Sequence, residues 1–210
     1  MADGIRAAII LLALLAGMAV SPGCLSTIFG APPVYSPPAT AATPTPENPS
    51  ATVPVAELAL LPEDIPENYA LKDRSVIAYD EIGQLAHDLG WYQGYRVVYF
   101  RSNHESEDIT GIRQVIGIYP LESIGRVYAI EKDDLLEETD GTKRYEVPFP
   151  KIGDKSIAVR ITEPGDPRNQ VVYSVLFTKK NICEQITMGG TATDYETLKS
   201  IAIRAADRIR

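Results

Sequence analysis

Two cysteines, two histidines and one tryptophan are all that 210 residues contain of these types. That is too few for a disulfide framework or a zinc site. Basic residues are also short: 20 Lys and Arg stand against 28 Asp and Glu, a net charge of −8. An acidic surface repels phosphate, so no nucleic-acid partner is expected. No repeat of about 20–50 residues is present. The chain lacks a Ser nucleophile elbow, a phosphate-binding Gly loop, a His-Glu-x-x-His helix and a dinucleotide fingerprint. No catalytic residue, metal ligand or cofactor is therefore assigned. Hydrophobics at 45% and charged residues at 23% make a normal globular mixture.

What is present starts with an export leader. Arg6 and the amino terminus supply positive charge, and a 14-residue apolar run follows from Ala7 to Val20. A bilayer-spanning helix needs about 20 residues, whereas a signal-peptide core has about 7–15. Residues 1–23 thus read as a signal peptide. The alternative, an uncleaved anchor, would have to extend over Ser21–Phe29 and bury a Pro and a Gly.

Residues 24–56 read as a linker. Eight of the 24 residues from Ala31 to Pro54 are proline, and most others are Ala, Thr or Ser. Proline removes backbone donors, and so little apolar surface cannot offset the entropy of ordering. The expected form is an extended tether, whose stretch from Leu25 to Pro54 reaches roughly 90 Å at about 3.1 Å per residue.

Residues 57–210 read as one α+β domain. The leader and linker carry only Asp3, Arg6 and Glu47, so the acidic excess belongs to the domain. Period-two and helical patterns predict strands near Leu71–Ala78, Tyr95–Ser102, Ile112–Tyr119, Ser156–Ile161, Val171–Thr178 and Ile182–Met188. They predict helices after Asp80, from Leu121 to Leu136 with a break near Lys132, and from Tyr195 to Ile209. Lys180-Asn181 reads as a tight hairpin turn, Gly189-Gly190 as the end of its second strand, and Thr193 with Glu196 as a capping box. The order β-α-β-β-α-β-β-β-α gives an antiparallel sheet of about six strands packed with three helices.

Two short stretches bear on family. Ser21-Pro22-Gly23-Cys24 resembles the lipobox of prokaryotic lipoproteins: Gly23 and Cys24 match it, while Ser21 and Pro22 depart from it. The resemblance implies a lipid on Cys24 and a site on the extracytoplasmic face of the cell membrane. In the domain, the passages LPEDIPENYAL, PFPKIGDKSIAVR and VVYSVLFTKKNICEQI, with the closing amphipathic helix, resemble the PsbP-type fold of lipoproteins of the LpqN type. This implies a tethered binding or accessory module and carries over no catalytic residue.

Several groups have both a functional and a structural reading. The acidic run Glu131–Asp140 lacks the central Gly and alternating ligands of a calcium loop and reads as a solvated helix face. Cys183 lies opposite Ile182, Glu184 and Ile186 on its strand and reads as a buried free thiol. The densest aromatic stretch runs from Trp91 to Phe100. There Trp91, Tyr92, Tyr95, Tyr99 and Arg101 form a candidate recognition surface, since amphipathic aromatics bury area and still offer hydrogen bonds. The competing reading packs these tyrosines beneath a helix. Arg96, on the other face of the strand, needs a partner or a place near the edge.

The leading functional expectation is a non-catalytic, membrane-tethered binding or accessory module. It would be anchored through a lipid on Cys24 and would contact an unknown protein or a small hydrophobic ligand. An enzyme built from scattered carboxylates and tyrosines, and a structural envelope component, stand as alternatives.

Overall fold

A computed structural model describes residues 54–103, 108–138, 141–166, 168 and 170–210. The stretches expected to form a signal peptide and linker, with Cys24, lie outside these residues except for the last few positions of the linker. The described chain is α+β. Seven strands form one antiparallel sheet: β1 (Ala70–Ile77), β2 (Gln93–Asn103), β3 (Asp108–Ile118), β4 (Lys143–Glu146), β5 (Lys155–Thr162), β6 (Val171–Lys179) and β7 (Ile182–Gly190). Their spatial order is β1-β2-β3-β7-β6-β5-β4. Two meanders thus meet where β3 pairs with β7, in register from Thr110↔Gly190 to Ile118↔Ile182. The described α-helices are α1 (Val55–Leu58), α2 (Gln84–Asp88), α3 (Ile124–Leu136) and α4 (Tyr195–Arg208).

The sheet separates two apolar clusters. On one face α1 and α4 cover the sheet. Leu198, Ile201, Ala202 and Ala205 of α4 pack over Val97 and Tyr99 of β2, Ile112 and Ile116 of β3, and Val175 and Phe177 of β6. On the other face, α3 lays Val127 and Leu135 over Ile157, Val159, Leu176 and Cys183. Cys183 is buried on the side opposite Ile182, Glu184 and Ile186, as its strand parity requires, and burial pushes its thiol well above the ordinary value.

Four local expectations are corrected. A seventh strand, β4, adds to β5 at the sheet edge. Its Lys-Arg-Tyr-Glu sequence has no apolar alternation, because an edge strand need not bury a face. Helix α3 runs unbroken through Lys132 to Leu136. Its acidic C-terminal half is tolerated because Arg144 donates to the carbonyls of Asp134 and Leu135, at 3.2 and 3.0 Å, and satisfies part of the helix end. Gly189 and Gly190 are the last two residues of β7, so the strand runs through both glycines instead of stopping at Met188. A Cβ on Gly190, at φ 141°, would sit 2.0 Å from the carbonyl oxygen of Ile109, so only glycine lets β7 continue beside β3. The N-cap of α4 is Asp194, one residue beyond Thr193. Its carboxylate accepts from the amides of Glu196 and Thr197 and from the Thr197 hydroxyl, and a charged acceptor suits a helix N-terminus.

The amino-terminal boundary carries packing of its own. Val55 is 2% exposed, and Leu58, Ala59 and Leu60 are fully buried. The chain therefore enters the core one residue after Pro54.

Candidate binding surfaces

The candidate recognition residues on and before β2 do not share one surface. Tyr99 is 1% exposed. It lies under α1 and α4, with its hydroxyl donating to the Leu60 carbonyl at 3.1 Å. This corrects its reading as a contact residue: strand parity placed it correctly, but the covered face is the one it points to. Burial raises its phenol pKa. Tyr95 is half-buried at the margin of the same cluster. Arg101 turns away to the β7–α4 connection, donating to the Ala192 carbonyl at 3.1 Å with its guanidinium 5.2 Å from the Tyr69 ring centre.

Trp91, at 7% exposure, belongs to the opposite face. Glycines at 94 and 117 make room for it. A Cβ on Gly94 would lie 2.9 Å from the indole, and one on Gly117 would lie 3.5 Å from it. The indole thus seats on a notch that two strands leave bare. Tyr79 extends this end of the molecule, 6.2 Å from Trp91 and 3.8 Å from His87 between ring centres. Tyr92 is 40% exposed. Burial raises its phenol pKa, and a hydrogen bond to the Asn181 side chain opposes that rise. Tyr79, Leu85, Tyr92 and Leu121 all remain exposed around this end.

A second accessible surface was not singled out in the sequence. The α3 contacts fall on β4, β5, β6 and β7, which leaves the same face of β1, β2 and β3 partly open. Val98 and Phe100 of β2, Val115 of β3, and Gln185 and Thr187 of β7 are half-buried there. Arg96 is held at its edge by Asp73 at 3.0 Å and Glu81 at 3.6 Å, so the awkward arginine of the β2 pattern is paired. Arg113 lies diagonally across from Arg96. Burial, and then repulsion from Arg96, lowers its pKa. A second polar line crosses β6 and β7, where Gln185 donates to Ser174 at 2.9 Å and Ser174 lies 3.0 Å from the Thr187 hydroxyl. The result is an apolar strip flanked by two guanidinium groups and a row of neutral polar groups.

A further groove of about 500 Å³ lies between the Glu63–Pro66 turn and the start of α4, lined by Asp194, Glu196, Thr197, Ser200 and Arg204. Its carboxylates are largely committed. Asp194 caps α4, Glu196 pairs with Lys199, and Asp64 pairs with Arg208. Among the described residues, no three His, Cys, Asp or Glu side chains gather in a way that could hold a metal ion. No described helix is long and apolar enough to cross a membrane.

No protein-family model and no curated sequence matches the chain. A solved structure does share its fold. The extracellular domain of PknH from Mycobacterium tuberculosis superposes with a TM-score of 0.55 at 9% identity, over 74% of this chain and 94% of that one. The Rv0999 ortholog from Mycobacterium smegmatis reaches a TM-score of 0.43 at 12% identity, over 77% and 98%. At such identities the likeness to the PknH domain is one of fold.

Proposed function

We propose that this protein is a membrane-tethered extracytoplasmic binding module. In this reading a lipid on Cys24 anchors it, the Pro-rich linker holds the domain off the bilayer, and the PsbP-type domain presents the open half of its sheet to a small amphipathic ligand. The observation that carries the reading is that the described helices leave that sheet face incompletely covered. Val98, Phe100 and Val115 form an apolar strip beside Arg96 and Arg113. A fully structural domain gains by covering such a strip, since each buried methylene is worth about 0.8 kcal/mol. A ligand with an apolar body and an anionic end meets both kinds of group, its anion competing with Asp73 and Glu81 for Arg96. The leader, the Gly23-Cys24 pair and the fold shared with an extracellular domain support the address.

The anchor and the ligand surface are tested separately. Wild-type protein is expected to partition into detergent with a lipid mass on Cys24, and Cys24→Ser to stay aqueous and unmodified. An unmodified Cys24 in membrane-extracted protein contradicts the anchor. For the surface, decanoate serves as the probe. Calorimetric titration of the full chain should give saturable binding that weakens at least tenfold in Val115→Asp. Equal binding by wild type and variant contradicts the surface.

A second reading is favoured by the aromatic end. Tyr79, Leu85, Tyr92 and Leu121 stand exposed around a fixed Trp91, and a rigid aromatic patch of this kind suits a protein partner.

A further inference from the structure

A carboxyl group sits inside the core at the place where the tether joins the domain. Glu184 of β7 is fully buried on the α4 face. Its Oε1 accepts from Gln114 Nε2 at 2.7 Å, and its Oε2 has no partner among the described residues. Gln114 is the hinge pin of the arrangement. Its Nε2 also donates to the Leu58 carbonyl at 3.3 Å, and its Oε1 accepts from the Leu60 amide at 2.7 Å. The segment that runs from the linker into the fold is thus fastened to the sheet through the glutamine that Glu184 holds in place.

The other fasteners of this segment are fixed charges and a phenol. Arg208 of α4 donates to the Ala59 carbonyl at 2.7 Å and pairs with Asp64. Arg74 of β1 donates to the Ala56 carbonyl at 3.2 Å, and Tyr99 of β2 to the Leu60 carbonyl. The groups around Glu184 are therefore Gln114 and the apolar Ile116 from β3, Arg208 from α4, with its own acceptors in Ala59 and Asp64, and the apolar Phe177 beside it on β6, while the neighbouring Cys183 thiol points to the opposite face. No cation is committed to Glu184 itself in the hydrogen bonds and ion pairs of the described residues.

We propose that Val55–Leu61 is a proton-controlled clasp, closed while the Glu184 carboxyl is neutral and loosened when it ionises. Glutamine at 184 would keep the bond to Gln114 without a titrating group, so glutamate places a proton switch where the fold itself does not need one. A neutral carboxyl tolerates the dry site. A carboxylate there must draw Arg208 from Ala59 and Asp64, or admit water beneath α1. Either route frees the strap that bears the tether. Burial raises the Glu184 pKa to about 8, with the Gln114 hydrogen bond and Arg208 opposing the rise. In the unfolded chain the group ionises near its ordinary 4.5. Its contribution to stability is thus full below about pH 4.5 and is lost as pH rises through about 8.

The test is residue-resolved hydrogen exchange on the full chain between pH 6 and 9, corrected for intrinsic rates, together with a carboxyl-carbon titration of Glu184. Protection of the Leu60 and Leu61 amides should fall by roughly tenfold while the β6–β7 ladder stays protected. The Glu184 carbon should titrate over the same range. Glu184→Gln should remove the pH dependence and keep the strap protected at pH 9. The proposal is overturned if the variant retains the dependence, if strap and ladder lose protection together, or if Glu184 titrates near 4.5. The carbon titration decides even where the variant folds poorly. None of these results depends on ligand binding, so the clasp stands or falls apart from the function proposed above.

Discussion

On the α4 face, β2 and β3 send Val97, Tyr99, Ile112 and Ile116 under two helices, and water scarcely touches them. On the opposite face the same strands send Val98, Phe100 and Val115 to a surface that water still reaches. Both faces follow the same period-two rule and both carry large apolar residues. The difference lies in where the helices land: α3 settles on the β4–β7 half, and nothing in the β2 or β3 sequence dictates that. Alternation assigns side chains to faces, but it does not say which face is covered.

The sharpest way to break this contrast is to truncate one residue from each face. Tyr99→Ala removes a ring that is fully enclosed and strands the Leu60 carbonyl. It should cost about 3–5 kcal/mol of stability in urea unfolding. Val98→Ala, on the adjacent residue but the open face, should cost only about 1 kcal/mol. Equal losses would mean that the two faces are equally closed.

A smaller effect is expected at the notch beneath Trp91. Gly94→Ala forces a methyl group against the indole and against the Ile116 carbonyl oxygen, which would lie 3.0 Å away. It should cost about 1–3 kcal/mol and shift Trp91 fluorescence to the red. Unchanged fluorescence and stability would show that the notch is not tight.

The smallest change concerns the cap of the helix that closes the covered face. Asp194→Ala should cost about 1 kcal/mol. The Thr197 hydroxyl and the amides of Glu196 and Thr197 hold the Asp194 carboxyl below its ordinary value. Its contribution is therefore present above about pH 4 and fades as pH falls further. The variant and the wild type should converge in melting temperature in acid. A constant gap down to pH 2 would contradict the cap.

Much of this architecture is legible in the residues. The closing helix shows Leu198, Ile201, Ala202 and Ala205 at helical spacing, and Lys180-Asn181 makes the β6–β7 hairpin as its residue types suggest, with Lys180 at φ 57°. Arg96 was recognisable as a residue that needs a partner, and it has Asp73 and Glu81. The open half of the sheet was not legible. It is assembled from β2, β3 and β7, whose pairing is long-range, and its polar members look like ordinary outward residues. The burial of Glu184 has a sequence signal: it shares a strand face with Ile182 and Ile186, and a carboxyl between two core isoleucines is a buried carboxyl. The short strand β4 and helix α1 escaped because four residues are too few to show a period.

The most direct test of the central claim, that the open half of the sheet is the ligand surface, is an amide chemical-shift map of the full chain titrated with decanoate. The account predicts saturable shifts centred on Val98, Val115 and Gln185, with the α4-face neighbours Val97, Tyr99 and Ile186 little changed. Shifts centred instead on the aromatic end around Tyr79 and Tyr92, or no saturable shifts at all, would contradict it.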